Sequence, residues 1–240
     1  MPVQSTDRLS AWLALVDAGV SFAILDRLIR AFQEPENILG ASDDAWRSRA
    51  GLDEKQCRRL RDSSGDHARR DKQLAAMDRF GITAVERSEE AFPRFLAESD
   101  ACPPVLFVRG ELTPEDHFGI ALVGPRAATP YGLEVARRFA HELAPVVTVV
   151  SGLALGIDSA AHDYALRSGG RTIGVAACGP DYDYPKGNGP LREKILESGA
   201  IVSVFPPLTK TKTHHFPLRN TIMASMSLAV VVIEAAEKSG

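Results

Sequence analysis

The spacing of hydrophobic positions changes once along the chain. From Leu9 to about Phe80 they recur at helical intervals. Leu9, Trp12, Leu13 and Val16 follow the i, i+3, i+4, i+7 pattern, and Ile24, Leu25, Leu28, Ile29 and Phe32 repeat it. Ser42-Asp43-Asp44 supplies a cap ahead of Trp46, and Gly51 followed by Leu52-Asp53-Glu54 marks another turn and helix start. Short helices joined by Gly and Pro turns predict a small all-helical domain over residues 1–80. Residues 81–119 read as a connector, with Phe92-Pro93 and Cys102-Pro103-Pro104, and a leading strand, Val105–Val108, that ends at Gly110.

From Ile120 the pattern becomes short apolar runs bounded by turns, at Ile120–Val123, Val146–Val150, Thr172–Ala177, Ile201–Val204 and Leu228–Ile233. They are rich in β-branched residues and apolar throughout, as strands buried on both faces are. Helical segments lie between them, near Tyr131–Leu143, Asp158–Ser168, Pro190–Ser198 and Asn220–Met226. Strand and helix in alternation predict an α/β domain over 120–240, a parallel sheet with helices on both faces. Such folds bind ligands beyond the carboxyl ends of their strands, so function is sought in the loops that follow each strand.

Composition narrows the class. The chain has 240 residues, 45% hydrophobic and 25% charged, with 28 basic and 31 acidic side chains for a net charge of -3. It needs no staple to build a core, and a polybasic protein is excluded, so any nucleic-acid contact is a local patch. The helical half is balanced, 13 basic against 13 acidic to Phe80. Its cluster Arg58, Arg59, Arg61, Arg69 and Arg70 reads as a solvated helix face before it reads as a phosphate surface. Cys57, Cys102 and Cys178 form no CxxC pair, which argues against a zinc site and fits a reducing, cytoplasmic setting. No apolar run reaches membrane-span length, and the first residues lack the pattern of a signal peptide.

The loops carry the candidate chemistry. After the first strand comes Gly124-Pro125-Arg126. Gly124 lets backbone approach a ligand, and Arg126 offers a bidentate fork to phosphate or, equally, to a structural carboxylate. After the second, Ser151-Gly152 through Gly156-Ile157-Asp158 forms a tight turn into a helix, where free N–H groups make an anion site. It is neither a dinucleotide fingerprint nor a Walker loop. Asp158 and His162 share a helix face, yet no nucleophile accompanies them, and a structural role is preferred. Cys178, after the third strand, reads as a small buried residue, and Tyr182 and Tyr184 either stack on bases or pack the loop. From Ser203 to Ile233 there is no acidic residue, while Lys210, Lys212 and Arg219 are interleaved with Phe216, as in a single-stranded nucleic-acid groove. His214 and His215 are adjacent and make an improbable metal pair. No metal or cofactor is expected.

Taken together, these motifs resemble the DprA/Smf family of DNA-processing proteins. The resemblance is carried by Pro104-Val105-Leu106 to Arg109-Gly110, Val123-Gly124 with Arg126, Thr129, Tyr131-Gly132, Ser151-Gly152 to Asp158, Ala161-His162, Tyr184-Pro185, Phe216-Pro217 to Asn220, and Glu234-Ala235 to Gly240. It implies an extended Rossmann-like fold behind a small helical (SAM-like) domain, without catalytic activity. It implies binding and protection of single-stranded DNA, loading of the RecA recombinase during natural transformation, a homodimer, and contact with a single-stranded-DNA-binding protein. Arg126 would hold phosphate, Ser151, Gly152 and Gly156 would supply backbone donors, and Lys210 or Lys212, Phe216, Arg219 and Asn220 would line the pocket. Pro125 stands where a serine or threonine is usual, Thr221 where a second arginine is, and Ser203-Val204 where Ser-Glu is. The sequence stops within a family motif, which implies either a truncated chain or a domain that closes differently. Two other readings remain. One is a Rossmann-like nucleotide phosphoribohydrolase, with Glu234 as its acidic residue. The other is an interaction scaffold that binds no DNA.

Overall fold

The structure, a computed structural model, describes residues 5–236. It divides into two compact units, one through Arg79 and one from Phe80.

The first unit holds α1 (Thr6–Asp17), α2 (Phe22–Phe32), α3 (Pro35–Leu39), α4 (Asp43–Ala50), α5 (Glu54–Gly65) and most of α6 (His67–Phe80). Local chemistry sets the helix ends. Ser5 and Ser42 accept from the backbone N–H groups of Arg8 and Ala45, and Asp53 and Gln56 form a capping box. Gly51 closes α4 at φ +67°, a left-handed cap that glycine adopts without a Cβ clash. The apolar stripes turn inward, burying Trp12, Leu13, Leu25, Leu28, Trp46 and Leu60. The arginine cluster is engaged within this unit. Arg58 pairs with Glu54, Arg59 donates to the Gly19 carbonyl, Arg61 pairs with Asp43, and Arg69 grips both Asp17 oxygens. Arg70 is buried and donates to Ser10 and the Ser63 carbonyl. Arg58, Arg59 and Arg61 are exposed, as on the solvated face the sequence suggests, whereas Arg70 is buried and, with Arg69, holds α6 against α1.

The second unit is built on a seven-stranded sheet in the order β1-β2-β6-β5-β4-β3-β7. Its strands are β1 (Ile82–Glu86), β2 (Val105–Gly110), β3 (Gly119–Val123), β4 (Thr148–Ser151), β5 (Thr172–Val175), β6 (Ala200–Ser203) and β7 (Ala229–Val232). Pairs from β6 through β5, β4 and β3 to β7 are parallel, in registers such as Ala121 with Val150 and Val150 with Ile173. Between strands run α8 (Pro130–Leu143), α9 (Ile157–Arg167), α10 (Gly189–Ser198) and α11 (His215–Ser225), with the short α7 (Arg94–Ala97) before β2. The chain steps outward from β3 to β4, β5 and β6, then returns through α11 to β7 on the other side of β3. Right-handed crossovers therefore put α8, α9 and α10 on one face and α11 on the other. β3 and β7 flank the point where the direction reverses, the place where open α/β sheets bind ligands.

Three features depart from the sequence pattern. Residues 81–119, read as a connector with one strand, contribute two, and both are antiparallel: β1 to β2, and β2 to β6. β1 escapes notice because only Gly81 (φ +61°) separates its five residues from the last helical stripe. β7 is not buried on both faces. It is the outer strand, with β3 as its neighbour, and Val230 and Val232 are 44% and 58% exposed. Finally, α11 begins at His215, five residues before the predicted helix, which moves Phe216 and Arg219 from a loop onto a helix.

The 3-10 helix Pro114–Phe118 is bolted to the amino ends of the sheet strands by a buried charge. Asp116, 2% exposed, accepts from Thr148 Oγ1 at 2.9 Å and from Arg171 Nε and Nη2 at 2.7 and 2.8 Å. Removing the arginine strands a desolvated carboxylate. Arg171→Ala is expected to destabilise the protein by about 3 kcal/mol, read as a lower urea midpoint at neutral pH. An unchanged midpoint would show that solvent already screens the pair.

Candidate functional site at the sheet switch point

Strand ends and helix α11 enclose a crevice of about 570 Å³, lined by Gly124, Pro125 and Arg126 after β3, by Phe216, Arg219 and Asn220 of α11, and by Val232 and Glu234. A narrower hollow opens from it past Gly152, Tyr184 and Phe216. Arg126 is exposed, and its guanidinium lies 5.0 Å from the centre of the Phe216 ring. Among the described residues Arg126 makes no ion pair, and it shares the crevice lining with Asp158 and Glu234. The Tyr184 ring stands 5.9 Å from Phe216, tilted by 51°. Tyr184 completes the aromatic wall. The sequence shows it as a loop aromatic, but its approach to Phe216 depends on the tertiary fold.

Arg219 has a different role. It is 7% exposed, its Nη1 donates to the carbonyls of Gly152 and Val175, and it lies 3.8 Å from the Asp158 carboxylate. Burial alone pushes the Asp158 pKa up. Arg219 and the amides of Ala154 and Gly152 oppose that shift. The turn expected to present free donors to a phosphate therefore points at least two of them, the Gly152 and Ala154 amides, at the chain's own Asp158. Ser151 is buried, and its hydroxyl donates to the Leu122 carbonyl at 2.6 Å.

The glycines keep the walls close. A Cβ on Gly152 would overlap the Arg219 guanidinium, and Gly124 meets Ile157 in the same way. Gly156 adopts φ +78° with the Pro125 and Arg126 carbonyls against it, so it seats the arginine loop on the start of α9. Asn220 lines the crevice beside Arg219. Lys210 and Lys212 do not line it. They are exposed on the loop between β6 and α11, which is tied down by Gly179 N–H to the Thr209 carbonyl and Leu208 N–H to Asp181.

The remaining titratable groups are engaged by the fold. Glu234 accepts from Thr129 N and Oγ1 at 3.0 and 2.7 Å, latching the end of β7 to the cap of α8. Cys178 is buried, and its pKa is pushed up to about 11 by burial. His162 is fully buried, with Nδ1 2.7 Å from Thr172 Oγ1. That hydroxyl donates to the Val149 carbonyl, so Nδ1 carries the histidine proton and Nε2 is left a bare acceptor without a partner. Burial, with positive Arg219 and Arg192 nearby, pushes the His162 pKa down to about 3.

Fold and crevice define a Rossmann-like α/β protein with an aromatic-walled cleft at its switch point, into which Arg126 and Arg219 project beside Asp158 and Glu234. The profile of the DNA recombination-mediator protein A family matches residues 83–240, and the chain belongs to that family. It is 34% identical to protein Smf of Synechocystis over 95% of this chain and 59% of the relative. It is 37% identical to DNA processing protein DprA of Bacillus subtilis over 70% and 57% of the two chains. The chain thus spans somewhat under three fifths of these relatives. Among solved structures it is similar to DprA of Streptococcus pneumoniae, with a TM-score of 0.79 and 28% identity over 94% of this chain and 77% of that one. DNA processing protein A of Helicobacter pylori, described for its single-stranded DNA binding mode, gives a TM-score of 0.57 at 29% identity over 67% and 72%. The terminal residues Lys238-Ser239-Gly240, part of the resemblance, lie outside the described residues.

The buried His162 gives the site unit a pH signature. Folded, it stays neutral to about pH 3, whereas unfolded it takes a proton near 6.5. The unfolded state therefore binds more protons in that window, and stability falls as pH drops from about 6.5 toward 3, by up to about 1.4 kcal/mol per pH unit. Urea unfolding from pH 7 to 4 checks this. His162→Asn is expected to flatten the decline, and an equal slope in both proteins would contradict the assignment.

Proposed function

We propose that the chain is a non-catalytic recombination mediator that binds single-stranded DNA in the crevice between β3, β7 and α11. The observation that carries the reading is Arg126, exposed, without a carboxylate partner, and held over the Phe216 ring. A phosphate gains a charge-assisted contact there, while Phe216 and Tyr184 offer ring faces to unstacked bases. Duplex DNA keeps its bases stacked and cannot use those faces. Membership of the recombination-mediator family and the single-stranded DNA binding mode described for the Helicobacter pylori relative support the same substrate. Protection of incoming DNA, transfer to RecA, self-association and action in the cytoplasm complete the reading. The three free, buried thiols accord with the last of these.

A nucleotide phosphoribohydrolase needs a carboxylate free to act in the cleft. Glu234, the acidic residue such a reading would use, is occupied by Thr129, and Asp158 by Arg219 and backbone amides. The observations favour binding over hydrolysis.

Oligothymidylate is expected to bind more tightly than blunt duplex at matched salt. Arg126→Ala should lose about 1.5–3 kcal/mol, roughly tenfold or more in affinity. Its salt dependence should become shallower by about 0.7 in log-log slope, the value for one phosphate on a single strand. Arg126→Lys should recover part, because lysine lacks the planar fork. Fluorescence anisotropy with thermal melts checks all three. If Arg126→Ala melts much earlier yet binds normally, Arg126 is structural and the crevice is not the site.

A further inference from the structure

We propose that the bound strand leaves the crevice across Gly156 and continues into a second, basic groove along the outer face of α9. This inference rests on the single-stranded DNA reading above and extends it. The groove, about 700 Å³, lies where α9 is flanked by α8 and α10. Its floor is the stripe of α9 that faces away from the sheet, since Ile157, Ala161 and Ala165 on the opposite stripe are fully buried. Gly156, the residue on which the Pro125 and Arg126 carbonyls rest, is part of its lining. The groove thus begins at the loop that carries the proposed phosphate contact. From Gly156 to Arg167 the helix rises about 16 Å.

The chemistry of the lining fits a polyanion. Arg137, Arg167 and Lys194 face it, against the single acid Asp163. Arg137 and Arg167 converge on one aromatic ring, their guanidinium carbons 5.5 and 5.1 Å from the centre of Tyr164. Stacking on a common ring holds two cations side by side without burying them. Their carboxylate partners are helix neighbours, the exposed Glu134 at 3.6 Å and the half-buried Asp163 at 2.9 Å, and pairs made by such solvated arginines are weak enough for phosphate to displace. With Tyr164 covered by its two arginines, the groove offers charge and few base-stacking faces. It is a track for the backbone rather than a reader of bases.

Oligothymidylates of about four and about 16 nucleotides separate the two surfaces, because the shorter fills only the crevice. The triple variant Arg137→Ala, Arg167→Ala, Lys194→Ala is expected to bind the short strand within twofold of the native chain and the long strand at least tenfold more weakly. Its salt slope should be shallower by about 2 on the long strand alone, for three lost phosphate contacts. Lys194→Glu, one exposed change, should weaken the long strand selectively and guards against a misfolded triple variant. Long-strand binding equal to native, or an equal loss at both lengths, overturns the groove. Arg126→Ala distinguishes the two readings. Weaker binding at both lengths upholds the crevice whatever the groove does, and native binding at both lengths removes the crevice and the extension together.

Discussion

Arg219 sits at the carboxyl end of the sheet, 93% covered, and the shape of the crevice follows from how its charge is held. The side chain comes from α11, its carbonyl partners from Gly152 and Val175 after β4 and in β5, and its counter-charge from the first turn of α9. One guanidinium therefore fixes a helix on one face of the sheet to a strand end, a turn and a helix on the other. Removing either partner would leave a desolvated charge, which is why such pairs specify geometry more than they add stability. The same pair explains the glycine at 152, where a Cβ would displace the guanidinium, and the inward aim of the turn amides.

This arrangement divides the crevice arginines by function. Arg219 is held by Asp158 and carbonyl oxygens and stands one helical turn after Phe216 on α11, in the lining of the crevice. Arg126 lies on a loop whose backbone is seated on Gly156, has no carboxylate partner among the described residues, and stays exposed over Phe216. A positioned cation beside an aromatic wall can hold a phosphate and leave the attached base a face to lie on. The carboxylates at hand, Asp158 and Glu234, are engaged in holding the walls.

Most of the fold was legible because its signals are local. Helical stripes such as Leu25-Leu28-Phe32 and apolar runs such as Ile120–Val123 depend only on spacing, and a protein interior rewards that spacing directly. The strand β1, the antiparallel direction of β2 and the early start of α11 were not legible in the same way. β1 is five residues long and follows a helix with a single glycine between, and the Phe216-Pro217 pair reads as a loop until the helix N-terminus is seen to accommodate the proline. In the site, residue types were readable and their allegiances were not. The sequence shows Arg126 and Arg219 as equivalent cations after strand ends. Only the folded chain brings Asp158, 61 positions before Arg219, close enough to claim one of them, and turns the Gly152 and Ala154 amides onto the same carboxylate.

The division between a structural and a free arginine is the central claim, and a crystal structure of the chain with a bound oligothymidylate tests it most directly. The account predicts a phosphate within hydrogen-bond reach of the Arg126 guanidinium, a base against Phe216 or Tyr184, and Arg219 still on the Gly152 and Val175 carbonyls beside Asp158. A phosphate bound to Arg219 after it has left Asp158, or a strand that avoids the crevice altogether, would contradict it.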